Sequence, residues 1–366
     1  MPGFILSIIM YPMPDMLILA APVAVIALWS LALLLLLFRK WKSALVVCLL
    51  SGVLNVWTEQ VPINPIHLLS KALSSDMYFD KPAAKQADAV RVLSYNICAK
   101  AEYTAIHGEE FIDYIKSLDA DILILPEDNP GSSNEFDDAM KAYYPYNAQQ
   151  LEDGKEHVGE RTFHSRYPLK NLKIYKMDMD RMVREHPEVD SLRVFELGKQ
   201  LTIFEVEADI KGQPVTVLHL HLRSNRVDIN NLEGDGRKQK VHQLYDNLYF
   251  AYVYRDVESQ IIADSLQNCP NPLIICGDFN DLSGSVAMRR IQSCRENNIH
   301  SAHRDRLKNA WWEGGSGLGF TFADQHLRLR LDHILYSKEF DLVDVTIPKV
   351  HYSDHRPVIA DFEFNP

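Results

Sequence analysis

An uncharged apolar run near the N-terminus constrains the fold of this chain more than any other feature of the sequence. From Leu17 to Phe38 the residues LILAAPVAVIALWSLALLLLLF include no charge and a single serine. At about 1.5 Å per residue, a helix of this length crosses the ~30 Å hydrocarbon layer of a bilayer. The competing interpretation is a cleaved signal peptide, but no Lys or Arg precedes the run and its apolar part is longer than a usual signal core. We therefore expect a transmembrane helix.

A second apolar stretch, from Ser43 to Trp57, follows a basic turn that contains Arg39, Lys40 and Lys42. Its length is marginal for a full span. If it crosses the bilayer, the two helices form a hairpin with its basic turn in the cytoplasm and the rest of the chain on the extracytoplasmic side. If it only lies at the membrane interface, the remainder is cytoplasmic. The positive-inside tendency favours the hairpin, so residues 1–58 are predicted to anchor the chain in a lipid bilayer. The sequence indicates no protein partner.

The chain changes character at about residue 89. Residues 59–88 contain Pro62, Pro65 and Pro82, which is typical of a connector between a membrane segment and a domain. From residue 89 to 366, many short strand-like runs alternate with only some helical patterns. This alternation predicts a single domain of the α/β (α+β) class, in which mixed sheets pack together with helices outside.

The acidic composition limits the kind of ligand. The formal net charge of −11 disfavours a broad electrostatic surface for a polyanion. Phosphate chemistry remains possible, because a bound metal ion can supply positive charge locally. The five cysteines show neither a paired framework nor a metal-binding spacing, so buried free thiols are expected.

Polar side chains recur at the ends of the predicted strands, which is the edge where α/β folds place their ligands. They are Asn96, Glu127, His221, Asp278, Asn280, Asp332, Asp354 and His355. Taken singly, most of them have ordinary explanations as turn residues, solvated carboxylates or buried histidines. Asp332 is harder to explain in that way, because a carboxylate inside an apolar strand is costly unless a cation or a histidine pairs with it.

Taken in order, these residues resemble the endonuclease/exonuclease/phosphatase superfamily, which includes pancreatic-type deoxyribonuclease, apurinic endonucleases, neutral sphingomyelinases and inositol polyphosphate phosphatases. The resemblance extends from about Val90 to the C-terminus and is most specific in GDFND, RLDHILYS and YSDHRPV. It implies a four-layer sandwich of two packed mixed β-sheets flanked by helices, and hydrolysis of a phosphodiester. The family's usual Leu-Gln-Glu is Leu125-Pro126-Glu127 here, so the backbone beside the metal is expected to differ.

The resemblance also implies a divalent metal ion, Mg²⁺ or Mn²⁺. Such hard cations prefer carboxylate and amide oxygens and retain water. Glu127, assisted by Asn96, is therefore the expected metal-binding pair, and Asp354 is a further candidate ligand.

The remaining site residues receive catalytic roles from the same resemblance. His355 is expected to act as the general base that takes a proton from water, with Asp332 behind it to set its tautomer. Asp278 and Asn280 are expected to orient that water and the phosphate. His221 is expected to contact the phosphate or assist the leaving group.

The substrate is left open by the sequence. Arg223 and Arg226 follow His221 and are candidates to bind a phosphate, or equally a solvated strand end. The loop from Trp311 to Phe322 is either a substrate rim or interfacial foot, or a segment whose Phe320 and Phe322 pack in the core while its tryptophans cap a helix. Nucleic acid, a phospholipid headgroup and another small phosphodiester all remain candidates. The alternative function is an inactive membrane-bound scaffold, which would be expected to lack a Glu, Asp or His of the ordered set, and none is lacking.

Overall fold

The computed structural model describes residues 13–64, 82–98, 108–127, 134–152, 163–187, 200–225, 236–296, 305–323 and 328–365. Two apolar helices come first and pack against each other, α1 (Met13–Leu37) and α2 (Trp41–Thr58). Both are long and apolar enough to cross a membrane. Large apolar side chains remain exposed along them, among them Val23, Leu33 and Leu49 at 70%, 62% and 62%. This exposure distinguishes the pair from the core helices of a soluble domain, because water disfavours large apolar patches.

The predicted connector is described only at its two ends. Residues 65–81 lie outside the described part of the chain. Residues 59–64 continue from α2 and contact the domain that follows, for example through the Gly317 N–H, which donates to the Pro62 carbonyl. The boundaries of anchor, connector and domain stay predictions.

Two six-stranded β-sheets form the centre of the domain. The first contains β1 (Val90–Ser94), β2 (Ile122–Ile124), β3 (Tyr146–Asn147), β4 (Phe163–Ser165), β13 (Phe340–Thr346) and β14 (Val358–Phe364). Their order is β13-β14-β1-β2-β4-β3. Only β1 and β2 are parallel, whereas the other neighbours are antiparallel.

The second sheet also has six strands with one parallel pair. It contains β5 (Leu169–Lys176), β6 (Gln200–Ile210), β7 (Gln213–His221), β8 (Leu273–Asp278), β9 (Lys308–Asn309) and β12 (Asp332–Tyr336). Their order is β5-β6-β7-β8-β12-β9, and β7 and β8 form the parallel pair. A small separate hairpin consists of β10 (Phe322–Ala323) and β11 (Arg328–Leu329).

Helices cover the outer faces of the sheets. Among the described residues these are α3 (Glu109–Ser117), α4 (Asn134–Tyr143), α5 (Met179–Glu185), α6 (Arg237–Leu266) and α7 (Val286–Gln292). The short helix α8 (Ala310–Gly314) instead contributes Ala310 and Trp311 to the core between the sheets, and a 3₁₀ turn lies at Ala148–Leu151. α3 and α4 pack on the first sheet, while α5, α6 and α7 pack on the second. Val92, Ile122, Val217, Ile274 and Ile334 belong to the apolar core between the two sheets. The predicted four-layer sandwich is therefore confirmed.

Sequence patterns explain the local geometry at several points. The β6–β7 hairpin turns at Lys211 and Gly212, with φ of 55° and 85°, as expected for a tight two-residue turn. The predicted strand around Asp332 begins at that residue instead of running through it. Trp311 lies in the core and its indole N–H donates to the Gly317 carbonyl, 3.1 Å away. This tryptophan therefore belongs to the core and not to a substrate rim.

A buried ion pair joins the first and last strands of the domain. Arg91 in β1 binds the carboxylate of Asp361 in β14 with both Nε and Nη2, each at 2.7 Å. Both side chains are buried. Arg91 and Asp361 are direct partners in the sheet register. The bidentate pair of guanidinium and carboxylate therefore stabilises that register.

Candidate active site

Three predicted site residues form a row across the second sheet. His221 ends β7, Asp278 ends β8 and Asp332 begins β12. His221 pairs with Asp278 in the parallel register, and Asp278 pairs with Asp332 in the antiparallel register. Residues paired in register across adjacent strands lie side by side on the same face of a sheet. Sheet topology alone therefore brings these three side chains together.

The first sheet contributes to the same site through Asn96 and Glu127. The Asn96 side-chain N–H₂ donates to Glu127 Oε1 at 3.1 Å and to Asp278 Oδ2 at 3.0 Å. Its oxygen accepts from the Cys98 backbone N–H, which fixes the orientation of the amide. The carboxyl ends of the parallel pairs of both sheets thus meet at one edge, which we call the polar edge and define by Asn96, Glu127, His221 and Asp278.

His355 completes the polar edge from the segment that leads into β14. Its Nδ1 lies 2.8 Å from Asp332 Oδ2, and its Nε2 lies 3.8 Å from Asp278 Oδ2. The imidazole is buried and packs edge-on against the ring of Phe322, with the ring centres 5.1 Å apart. The predicted pairing of His355 with Asp332 is present in the structure.

The charges of this group act strongly on one another. Burial alone would lower the pKa of His355, but the attraction of Asp332 and Asp278 and the hydrogen bond to Asp332 raise it to about 10. Burial raises the pKa of Asp278, and the neighbouring Asp332 carboxylate raises it further. The two carboxylates therefore stabilise the imidazolium that forms when His355 accepts a proton.

Backbone geometry explains the GDFND motif. A Cβ atom on Gly277 would lie 1.8 Å from the Leu220 carbonyl oxygen, so only glycine allows β7 and β8 to approach here. Asn280 has a φ of 48°, which asparagine tolerates better than most residues. Its N–H donates to Asp278 Oδ1 at 2.8 Å, and its amide donates to the Leu222 carbonyl at 2.9 Å. Asn280 thus orients Asp278 and binds to the end of β7.

Glu127 also occupies the left-handed region of backbone conformation, with φ at 66°. Its Oε1 lies 3.8 Å from Nε2 of His221. The Glu127 side chain is 34% exposed, whereas Asp278 is almost fully buried. Glu127 is therefore the carboxylate of the polar edge that faces solvent.

Three expectations have less support from the geometry. Arg223 lies with its guanidinium over the rings of Phe250 and Tyr254 on α6, at 5.8 and 5.7 Å from their centres. Arg226 lies outside the described residues. Asp354 is partly exposed, and its Oδ1 accepts from the Ser353 hydroxyl at 3.2 Å. Phosphate binding by the arginines and metal binding by Asp354 remain predictions.

Sequence reasoning missed a layer of buried polar residues behind the polar edge. Glu258 on α6 accepts from the Arg223 N–H at 3.0 Å, and Arg255 donates to the Arg223 carbonyl at 2.6 Å. Burial raises the pKa of Glu258 to about 7. The hydroxyl oxygen of Thr321 accepts from the backbone N–H of Asp332 at 3.0 Å. The charges on the helical segment YRDVES were a signal for Glu258, whereas nothing in the sequence marks Thr321.

The side chains present fit a divalent cation. Glu127, Asp278 and Asp332 bring three carboxylates close to His355 and His221, and among the described residues no donor contacts the buried Asp332 Oδ1. One possible set is Asp278, Asp332 and His355, whose ligand atoms lie within 4.8 Å of one another. In this set Nδ1 of His355 is already paired with Asp332 Oδ2 at 2.8 Å, so the histidine would bind a metal through Nε2. The more exposed Glu127 beside Asp278 offers hard oxygen donors, which Mg²⁺ prefers.

Comparison with known proteins gives the family. The model of the endonuclease/exonuclease/phosphatase family matches residues 93–355. The chain belongs to this family. No curated protein sequence matches it. The family model spans Asn96, Glu127, His221, Asp278 and Asp332, and it ends at His355, so every residue of the polar edge lies within the matched region.

Several solved structures of this family are similar to the chain. Truncated TDP2 from Caenorhabditis elegans shares 17% identity, covers 76% of this chain and 98% of its own, and has a TM-score of 0.46. The human Nocturnin catalytic domain with bound sulfate shares 18% identity over 77% of this chain and 97% of its own, with a TM-score of 0.45. A beta toxin structure from Staphylococcus aureus shares 16% identity over 74% and 99%, with a TM-score of 0.46.

Proposed function

We propose that this endonuclease/exonuclease/phosphatase family member is a membrane-anchored phosphodiester hydrolase that depends on Mg²⁺ or Mn²⁺. The observation that carries the proposal is the convergence of Asn96, Glu127, His221 and Asp278 from two sheets, with the buried pair of His355 and Asp332 beside them. An inactive scaffold would have no need to keep three neighbouring carboxylates, because such a cluster is costly in the absence of a bound cation or substrate.

The side chains take distinct roles in the proposed reaction. In its neutral form, His355 accepts a proton from the attacking water at Nε2, and Asp332 holds the ring through Nδ1 and stabilises the imidazolium that results. The water oxygen forms a bond to phosphorus while the ester P–O bond breaks. His221 donates a proton to the leaving oxygen. The products are therefore a phosphomonoester and an alcohol.

The carboxylates complete the site. Glu127, with Asp278 beside it and Asp354 as a candidate, would hold the metal ion. When bound, the ion neutralises charge on the phosphoryl oxygens and lowers the pKa of water. Asn96 holds Glu127 and Asp278 together through its amide nitrogen, so we assign it a positioning role toward the metal ligands.

The anchor is proposed to be the α1–α2 hairpin. Its turn contains Arg39, Lys40 and Lys42, and a basic turn of this kind stays in the cytoplasm. Both free ends of the hairpin then lie on the other side, which places the domain on the extracytoplasmic face. A protease added to intact cells is expected to digest the domain if this topology holds, and to leave it intact if the domain is cytoplasmic.

The activity is tested with the full chain in detergent micelles. Turnover of bis(p-nitrophenyl) phosphate, single-stranded DNA and RNA is measured with Mg²⁺, with Mn²⁺ and with EDTA. We expect metal-dependent turnover that His355→Ala abolishes. His351→Ala is the matched control, because His351 is exposed and precedes the site by four residues. Absence of turnover on every substrate, together with absence of Mg²⁺ binding, would support the inactive scaffold.

A further inference from the structure

The start of α1 and the end of α2 both lie against the catalytic domain. The Ser51 hydroxyl donates to the Val25 carbonyl at 3.3 Å, which sets the antiparallel register of α1 and α2. Seven residues from Val25 toward the domain lies Ile18, and seven residues from Ser51 in the same direction lies Thr58. Ile18 of α1 and Thr58 of α2 therefore lie side by side in the hairpin. The basic turn lies at the opposite end of the hairpin.

An apolar contact connects α1 with the loops that carry the site. Ile18, Leu282 and Leu331 form a buried cluster, and Phe322 packs against it. Leu282 follows Asp281 in the GDFND motif, and Leu331 directly precedes Asp332. Phe322 also contacts His355, with their rings 5.1 Å apart. Phe322 therefore connects the cluster that contains Ile18 with the proposed general base.

A polar joint connects the end of α2 to the domain. We define this joint as Glu59, Gln60, Ser283 and Arg330. The buried Arg330 donates to the Glu59 carbonyl at 2.6 Å and to the Gln60 carbonyl at 3.1 Å. Gln60 donates its side-chain N–H₂ to the Ser283 carbonyl at 2.7 Å. Bonds from a buried guanidinium to the backbone leave α2 little freedom to turn relative to the domain.

Tryptophans indicate where the bilayer surface lies on this assembly. Trp41 and Trp57 are 62% and 55% exposed at the two ends of α2. Sixteen helical steps separate them, or about 24 Å, which suits the two interfacial belts of a bilayer. The Arg289 guanidinium of the domain lies 4.2 Å from the Trp57 ring centre. If α2 spans the bilayer, the surface of the domain around α7 therefore lies at headgroup level.

From this geometry we infer that the substrate is a lipid of the same bilayer, cleaved at the phosphodiester of its headgroup. The inference rests on the proposed function. The joint and the Ile18 contact hold the polar edge beside the bilayer surface, where lipid headgroups are concentrated. A nucleic acid would have to approach the same region past an acidic protein, whose net negative charge repels its phosphates.

The experiment uses the full chain in proteoliposomes of phosphatidylcholine and phosphatidylglycerol with Mg²⁺. Release of phosphorylated headgroup is compared for labelled lipid in the same vesicles and in separate vesicles. Bis(p-nitrophenyl) phosphate and single-stranded DNA serve as water-soluble substrates. We expect lipid in the same vesicle to be hydrolysed at least about ten-fold faster than lipid in separate vesicles, because the anchor raises its effective concentration.

Two insertions of the same flexible Gly-Ser segment test the fixed orientation. An insertion between Thr58 and Glu59 uncouples α2 from the joint and leaves the catalytic residues untouched. We expect it to lower lipid hydrolysis in the same vesicle about ten-fold, with turnover of bis(p-nitrophenyl) phosphate unchanged. The control insertion follows Asn64, beyond the joint, and is expected to leave both rates unchanged.

The outcomes separate this inference from the proposed function. Turnover of bis(p-nitrophenyl) phosphate or DNA without faster cleavage of lipid in the same vesicle would overturn the lipid assignment and leave the hydrolase standing. Lipid cleavage that is indifferent to the insertion at Thr58 would show that the fixed orientation does not direct the substrate. Lack of turnover on all substrates, water-soluble ones included, would overturn both.

Discussion

The imidazole Nδ1 of His355 lies 2.8 Å from Oδ2 of Asp332, and both side chains are almost completely buried. A histidine held in this way directs its other nitrogen, Nε2, toward Asp278, whose Oδ2 lies 3.8 Å away. The pair joins two distant parts of the chain, since Asp332 begins β12 and His355 precedes β14.

The first prediction concerns this pair. His355→Ala is expected to reduce kcat for bis(p-nitrophenyl) phosphate by about 10²- to 10⁴-fold, the range usual for loss of a general base. Asp332→Asn should reduce it in the same range, because the ring loses its orienting anion. The double variant should be no slower than the slower single variant, since the two residues act as one unit. Losses that multiply in the double variant would show that they act independently.

The second prediction concerns the metal ion. Glu127→Gln removes the solvent-facing negative charge of the polar edge and keeps the volume of the side chain. We expect weaker Mg²⁺ binding, measured by isothermal titration calorimetry, and a higher Mg²⁺ concentration for half-maximal activity. Glu185→Gln, at the end of α5, is the control. Equal Mg²⁺ affinity in Glu127→Gln and the wild-type chain would exclude Glu127 as a ligand.

The fold, and the edge of the sheets where the candidate site residues lie, were accessible from sequence for a physical reason. Strand ends are marked by polar residues that interrupt apolar runs, and parallel neighbours place such ends at one edge. This rule alone was enough to select His221 and Asp278 as candidate site residues. Their pairing with Asp332 depends on strand order and register, which a single sequence does not specify. Family resemblance, and not periodicity, supplied that connection.

The supporting layer could not be predicted in the same way. Glu258 and Arg255 reach Arg223 only because α6 packs on the outer face of the second sheet beside the end of β7. Thr321 acts through a hydroxyl in a loop, and hydroxyls in loops are common. The joint between Glu59 and Arg330 spans 271 positions and was assigned by sequence to a connector. Long-range contacts of this kind follow from tertiary packing alone.

The third prediction uses the buried Glu258. Burial raises its pKa to about 7, above its usual value of 4.5. The folded chain holds the proton on Glu258 more tightly than the unfolded chain does. The contribution of this proton to the free energy of unfolding is therefore fully present below pH 4.5 and is lost as the pH rises through 7. The loss is on the order of 3 kcal/mol.

Glu258→Gln cannot ionise and still offers an oxygen to the Arg223 N–H. Thermal unfolding of both proteins in detergent should therefore show that the stability of wild type falls relative to that of the variant between about pH 4.5 and 7. Parallel stability curves for the two proteins over this range would refute the prediction.

The fourth prediction concerns the ion pair between β1 and β14. Arg91→Ala leaves Asp361 as a buried charge without its bidentate partner, so we expect a loss of roughly 3–5 kcal/mol in the free energy of unfolding. Lys141→Ala is the control, because Lys141 and Asp138 form an exposed pair 3.6 Å apart. It should leave stability unchanged in urea denaturation. Similar effects of the two substitutions would contradict the role assigned to burial.

The left-handed backbone of Glu127 has a consequence for how this chain can change by mutation. A side chain in that region costs about 1–2 kcal/mol relative to glycine, so Glu127→Gly is expected to raise the unfolding temperature while it abolishes activity. Random drift under selection for folding alone would tend to replace the glutamate. Folding stability and the proposed metal binding are therefore expected to favour different residues at this position.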